Sequence, residues 1–110
     1  MINVLTDGLY EIIEQSKEKI ELQLSDALHP VFKAHFENNP LLPGFLQLDL
    51  IAEVLNKEIE TIVNTKFMKP ILPEMHLTFV LSDTKRGQRI LILDRQSNTV
   101  SDMRVHWKDR

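Results

Sequence analysis

The sequence predicts an α+β fold, an antiparallel β-sheet wrapped around one long buried central helix. Three observations carry the prediction. Six short segments either alternate apolar and polar residues or run apolar for the length of a strand. One longer segment is apolar around nearly its whole circumference, and breaks rich in proline, glycine and asparagine separate the pieces. The 110 residues suffice for a single core and not for two, so residues 1–110 read as one domain.

The first element is a hairpin over GLYEIIEQSKEKIELQLSD, residues 8–26. Ile20, Leu22 and Leu24 alternate with Glu21 and Gln23, the period of a half-buried strand. Leu9, Ile12 and Ile13 would also fit one short helical face, and strand is the preferred reading. DALHPVFKAHFENNPLLPG, residues 26–44, follows, and its prolines and asparagines forbid a long regular element. FLQLDLIAEVLNKE, residues 45–58, is then a helix of three to four turns whose only polar positions before Asn56 are Gln47, Asp49 and Glu53. A helix apolar all round is a buried helix, with Pro43 and Gly44 suited to the chain reversal in front of it.

Four extended segments complete the chain. In IETIVNTKFM, residues 59–68, Ile59, Thr61 and Val63 are expected to face one way; in MHLTFVLSD, residues 75–83, so are Leu77, Phe79 and Leu81. QRILILDR, residues 88–95, is a short apolar strand, and TVSDMRVHW, residues 99–107, alternates through Met103, Val105 and Trp107. MKPILPE breaks the chain after the first of these, while DTKRGQ and DRQSNT supply turns.

Composition removes several function classes. No apolar run approaches the roughly 20 residues of a membrane span. The start, MINVLTDGLY, lacks a basic n-region and a cleavable apolar core, so a signal peptide is not expected there. Without cysteine the chain has no disulfide, thiol catalysis or thiolate metal site, and the cytoplasm is the expected compartment. A net charge of −3 argues against nucleic acid, whose binding requires a concentrated basic face. Lys66, Lys69, Lys85, Arg86 and Arg89 do make the second half locally basic, either as solvated strand edges or as a docking patch for an acidic partner.

Residues 34–49, AHFENNPLLPGFLQLD, resemble the active-site motif of the β-hydroxyacyl-acyl carrier protein dehydratases, a hotdog-fold family with the pattern G-H-F-P-x-x-P-[VI]-[LM]-P-G-V-[LV]-x-[LI]-[ED]. His35, Phe36, Pro40, Pro43, Gly44 and Asp49 fall in register without a gap. KFMKPILPEMHL, residues 66–77, is similar to the family's downstream strand motif, K/R-F-x-x-P-V-x-P-G-D-x-L. An aspartate at position 49 is more like the aryl-polyene-type thioester dehydratases and the dehydratase-isomerase branch.

The resemblance implies a single hotdog domain acting as a hydro-lyase in fatty-acid-type biosynthesis, converting 3-hydroxyacyl to trans-2-enoyl thioesters. It implies His35 as the base at the α carbon, Asp49 as the acid at the leaving hydroxyl, and the Gly44 N–H as the group polarising the thioester carbonyl. It also implies a homodimer or higher oligomer in which the acid reaches the histidine of the other subunit. The substrate would ride on the phosphopantetheine arm of acyl carrier protein, with no separate cofactor, and Lys66, Lys69, Lys85 and Arg86 could attract that acidic carrier. A hotdog thioesterase and a non-catalytic acyl-thioester-binding or scaffold subunit are the alternatives.

The chemistry suits those residue types. Imidazole, with an ordinary pKa of about 6.5, can take a proton at neutral pH. A carboxyl group can give one, provided burial keeps it protonated. A helix N-terminus adds its dipole to a backbone N–H. Like-charge repulsion from Glu53, four residues on and on the same helical face, is expected to favour the proton-donating form of Asp49. The simpler reading makes Asp49 and Glu53 an exposed polar stripe. His29 reads as a turn or surface residue, and His76 and His106 have no companion at a metal-ligand spacing. The chain departs from the family pattern at Ala34, Glu37 and Glu53, and at Glu74-Met75 in place of the downstream Gly-Asp.

Overall fold

The alternation of Ile20, Leu22 and Leu24 does what the period requires, since all three are buried under one face of a sheet. They lie in β2 (Lys19–Leu24), which pairs antiparallel with β1 (Tyr10–Gln15), in a computed structural model that describes residues 7–34 and 41–109. Helix α1 (Pro30–Ala34) and helix α2 (Gly44–Leu55) come next, then β3 (Ile59–Phe67), β4 (His76–Thr84), β5 (Gly87–Leu93) and β6 (Thr99–Trp107). The six strands form one antiparallel sheet in the order β1-β2-β4-β5-β6-β3. Among the described residues, no helix is long and apolar enough to cross a membrane.

The core lies between the sheet and α2. Leu46, Leu50 and Ile51 of the helix meet the sheet face that carries Leu22, Phe79, Ile92 and Met103, all buried. Each such side chain contributes about 1.5–3 kcal/mol when taken out of water. Asn56 ends α2 at φ 53°, a left-handed conformation that asparagine tolerates, and the Lys57 N–H closes the turn on the Ala52 carbonyl at 3.0 Å.

The helix departs from expectation in two ways. It is 12 residues long, with a separate five-residue helix before it, rather than one long element. It is also buried on one face only: Phe45 is 62% exposed, and Asp49 is exposed as well. Among the described residues, the six-stranded sheet covers one side of the helix.

Proline does allow a short helix in residues 26–44. Pro30 stands at the first helical position of α1, where its missing N–H costs nothing. His29 is more than a turn residue, because it caps that helix. Its carbonyl accepts the N–H groups of Phe32 and Lys33 at 3.0 and 3.1 Å, and its Nδ1 accepts the N–H of Val31 at 3.1 Å. Its proton therefore sits on Nε2, which donates to the Asp7 carbonyl at 2.7 Å.

The edge strand β3 corrects a face assignment. Irregularities between Ile59 and Thr61 and between Ile62 and Asn64 shift its alternation. Ile62, Thr65 and Phe67 thus share the inner face with Val105, Met103 and Ser101, while Thr61 pairs with His106 on the outer face. Among the described residues β3 has no neighbour on its far side, and Ile62, Val63 and Phe67 are substantially exposed.

Glu74 adopts φ 65°, a left-handed conformation at the position where the downstream motif has glycine. Its backbone is held there by its N–H to the Ser25 carbonyl at 2.8 Å and by the Gln23 side-chain amide on its own carbonyl at 2.6 Å. Glu74→Gly is therefore expected to stabilise the fold by about 0.5–1 kcal/mol, read as a melting temperature about 2–8 °C higher.

Candidate active site

Of the three positions assigned to the chemistry, the structure describes two. His35, with Phe36, Glu37 and Pro40, lies outside the described residues. Gly44 opens α2 behind Pro43, whose carbonyl accepts the N–H groups of Leu46 and Gln47 at 3.1 and 3.2 Å. Helical geometry points the Gly44 N–H out of the N-terminus, along the positive end of the helix dipole. Asp49 stands about 7.5 Å further along the axis, on the face of α2 that the sheet leaves uncovered. It was expected to be buried and is exposed.

Gly44 has a reason of its own to be glycine. A Cβ there would lie 2.6 Å from Cε2 of Phe67, so the half-exposed aromatic ring rests directly on the first turn of α2. Beside it runs a groove of about 280 Å³, lined by Leu41, Leu42, Gly44, Gln47, Phe67, Met68, Lys69 and Pro70. Its described walls are mostly apolar, as an acyl group requires, with Lys69 the charged residue among them. A larger hollow of about 520 Å³ opens between the β1–β2 turn and the C-terminal end of α2, lined by Lys17, Glu18, Lys57 and Asp83 among others. Neither Gly44 nor Asp49 lines it.

Two buried or half-buried contacts fix α2 in place. Gln47, only 3% exposed, accepts a hydrogen bond from the Ser101 hydroxyl at 2.6 Å and donates to the Leu42 carbonyl at 3.4 Å. This pins the first turn of the helix to β6. Further along, the Tyr10 hydroxyl donates to Oε1 of Glu53 at 2.7 Å. Burial and then the Glu53 carboxylate push the Tyr10 pKa up, so the hydroxyl keeps its proton and remains a donor. Sequence reasoning missed both contacts. Gln47 was visible as a polar residue in an apolar helix, but nothing local connects Tyr10 with a residue 43 positions later.

The basic residues divide. Lys66 pairs with Asp102 near the end of the sheet where α2 begins, and Lys69 follows the end of β3 there. Lys85 and Arg86 form the β4–β5 turn at the opposite end, five residues of strand beyond the row of Leu91 and Asp102, about 17 Å away. The four do not form one patch. On the outer sheet face Arg89 and Arg104 stand directly opposite each other on β5 and β6. Arg89 grips Asp102 through two hydrogen bonds of 3.1 and 2.8 Å, which hold the Asp102 carboxyl below its usual range. Lys66 and Arg104 also act on that single carboxylate, so three cations surround one acid.

His76 has an acidic neighbour that its sequence position hides, since Oε1 of Glu21 lies 3.6 Å from its Nε2 across β2 and β4. His106 is exposed on β6. Among the described residues, no group of three or more histidine, aspartate or glutamate side chains could hold a metal ion.

Residues 12–104 match the model of the ApeI-like family, described as ApeI dehydratase. The chain belongs to that family. Its fold is similar to the dehydratase heterocomplex ApeI:P from Xenorhabdus doucetiae, with a TM-score of 0.71 at 23% identity over 90% of this chain and 97% of that one. It is 35% identical over 51 residues to the 3-hydroxyacyl-[acyl-carrier-protein] dehydratase FabZ of Thermoanaerobacter sp. (strain X514), covering 46% of this chain. The match spans only 35% of that curated relative's length. A thioesterase from Haemophilus influenzae shares the fold at 18% identity and a TM-score of 0.54, over 94% of this chain and 80% of that one. The hotdog fold and the dehydratase-type family that the motifs implied are thus both found.

Proposed function

We propose that the chain is a cytoplasmic dehydratase of 3-hydroxyacyl thioesters, working as a homodimer on substrates carried by acyl carrier protein. The observation that carries this reading is the placement of Asp49, exposed on the uncovered face of α2 in a chain of the ApeI-like dehydratase family. An acid that must meet the histidine of a second copy has to stand on a surface that a second copy can reach. Exposed apolar side chains, Phe45 one turn before it on α2 and Ile62 and Phe67 on the edge strand β3, give that copy something to cover.

In this reading His35 of one copy removes the α proton. The electron pair moves toward the thioester carbonyl, whose oxygen accepts the Gly44 N–H, and the double bond forms as the β hydroxyl leaves. Asp49 of the other copy gives that hydroxyl its proton, so water departs. The apolar groove along Phe67, Met68 and Pro70 takes the acyl chain.

The test offers a 3-hydroxyacyl pantetheine thioester and follows enoyl product and free thiol together. Enoyl product supports the proposal, free thiol alone makes the protein a thioesterase, and neither makes it a binding or scaffold subunit. Light scattering that finds only monomer overturns the shared site.

For the carrier we propose Lys66 and Lys69 with Arg89 and Arg104, the basic residues at and near the β3 edge, in place of the scattered set. Lys66→Glu with Arg104→Glu is expected to cost carrier-borne substrate about 10-fold more in kcat/KM than the free pantetheine thioester, with the gap closing as salt is raised. Equal losses on both substrates would show that this face does not dock the carrier.

A further inference from the structure

Phe45, Asp49 and Glu53 recur every four residues and form one row along α2, of which Phe45 and Asp49 are exposed and Glu53 is half-buried. Helical side chains lean toward the N-terminus, so the natural path of the Glu53 side chain runs back over the turn that carries Asp49. In the structure one oxygen of that side chain is held by another residue. The Glu53 carboxylate is drawn to the Tyr10 hydroxyl, 2.7 Å away on the first residue of β1. Tyr10 is a firm anchor: it pairs with Leu24 of β2, and the Leu9 carbonyl before it accepts the Ser25 N–H at 2.7 Å.

We propose that Tyr10 is a positioning residue for Asp49, acting through Glu53: its hydroxyl holds the Glu53 carboxylate aside and leaves the Asp49 carboxyl to the substrate. The proposal rests on the dehydratase reading above. Tyr10 touches no reacting atom, and its contribution is to keep a like charge from lying across the acid, so in this proposal Glu53 hinders Asp49 where its helical spacing suggested that it helps. Two carboxylates one turn apart repel when both are ionised, and when one is protonated they compete for its proton. Either contact would take from Asp49 the proton or the orientation that the leaving hydroxyl requires. Tethering Glu53 prevents both. The hydrogen bond that does so joins the β1 edge of the sheet to α2.

The test compares wild type, Tyr10→Phe, Glu53→Ala and the double variant for kcat and KM of enoyl formation. Thermal melts correct each rate for the folded fraction. Tyr10→Phe is expected to lower kcat about 10-fold with KM unchanged, because the released carboxylate swings over Asp49. Adding Glu53→Ala to Tyr10→Phe is expected to restore most of that loss, since the carboxylate that interferes is gone. A purely structural tyrosine predicts the opposite, a further loss in the double variant. The assignment is overturned by wild-type kcat in Tyr10→Phe, by a change in KM alone, or by a loss of the same size in both Glu53 backgrounds. Wild type that forms no enoyl product would instead remove the dehydratase reading itself, which keeps the two failures apart.

Discussion

Asp49→Asn is expected to fold as wild type does and to lose about 10²–10⁴-fold in kcat for enoyl formation. The two halves of that result come from different features. Stability should hold within about 0.5 kcal/mol, because Asp49 is exposed and helical and has none of the core contacts of Leu46, Leu50 and Ile51. Activity should fall because a carboxamide has nearly the shape of a carboxyl group but cannot transfer a proton to the leaving hydroxyl. The measurement pairs a thermal melt with the rate of enoyl formation on a 3-hydroxyacyl thioester. An Asp49→Asn protein that melts normally and turns over normally would take the acid away from this position.

The second large effect concerns stability. Gly87→Ala is expected to cost about 3 kcal/mol and to lower the melting temperature by 10 °C or more. Gly87 opens β5 at φ 106°, outside the region that side chains tolerate, and a Cβ there would lie 2.4 Å from the Val105 carbonyl oxygen. That oxygen belongs to the backbone of β6, which β5 and β3 hold on either side, so it cannot yield without breaking sheet hydrogen bonds. Gly44 makes the comparison useful. A methyl group there meets the ring of Phe67, the movable end of a half-exposed side chain. Gly44→Ala should therefore cost far less stability than Gly87→Ala, and the two melts measured side by side test the distinction.

The sequence announced each strand where the chain packs on itself, though not the short helix α1. β6 spans Thr99–Trp107, the same nine residues that its alternation marks, because Met103 and Val105 are buried in the core while Arg104 points away from it. Asp49 and β3 were harder, for a shared reason. Hydrophobicity reports that a surface prefers not to meet water, without saying whether this chain or another molecule covers it. The apolar circumference of α2 thus suggested a fully wrapped helix and a buried Asp49, although the sheet covers only the face of Leu46, Gln47, Leu50 and Ile51. The irregularities in β3 have no local signature, so a strict period of two put Thr61 on the wrong face. Lys66 and Lys69 looked like neighbours of Lys85 and Arg86 because the sequence does not show that all of β4 separates them. The Tyr10–Glu53 contact depends on how the helix crosses the sheet, and that crossing is a property of the whole fold.

The strand order carries a consequence for how the chain is made. β6, the last of the described strands, lies between β5 and β3 and is, among the described residues, the only partner of β3. The 40 residues from Ile59 to Thr99 must be added before that pairing can start, about 2–8 s at ordinary elongation rates. Through that interval a ribosome-bound chain carries Ile62, Val63 and Phe67 on a strand with no sheet to join. The β4–β5–β6 meander is local and quick to form, whereas β3 and β2 must reach it across long loops, a slow class of step. β3, one of the two edge strands of the finished sheet, is therefore also the strand that waits longest for its first partner during synthesis.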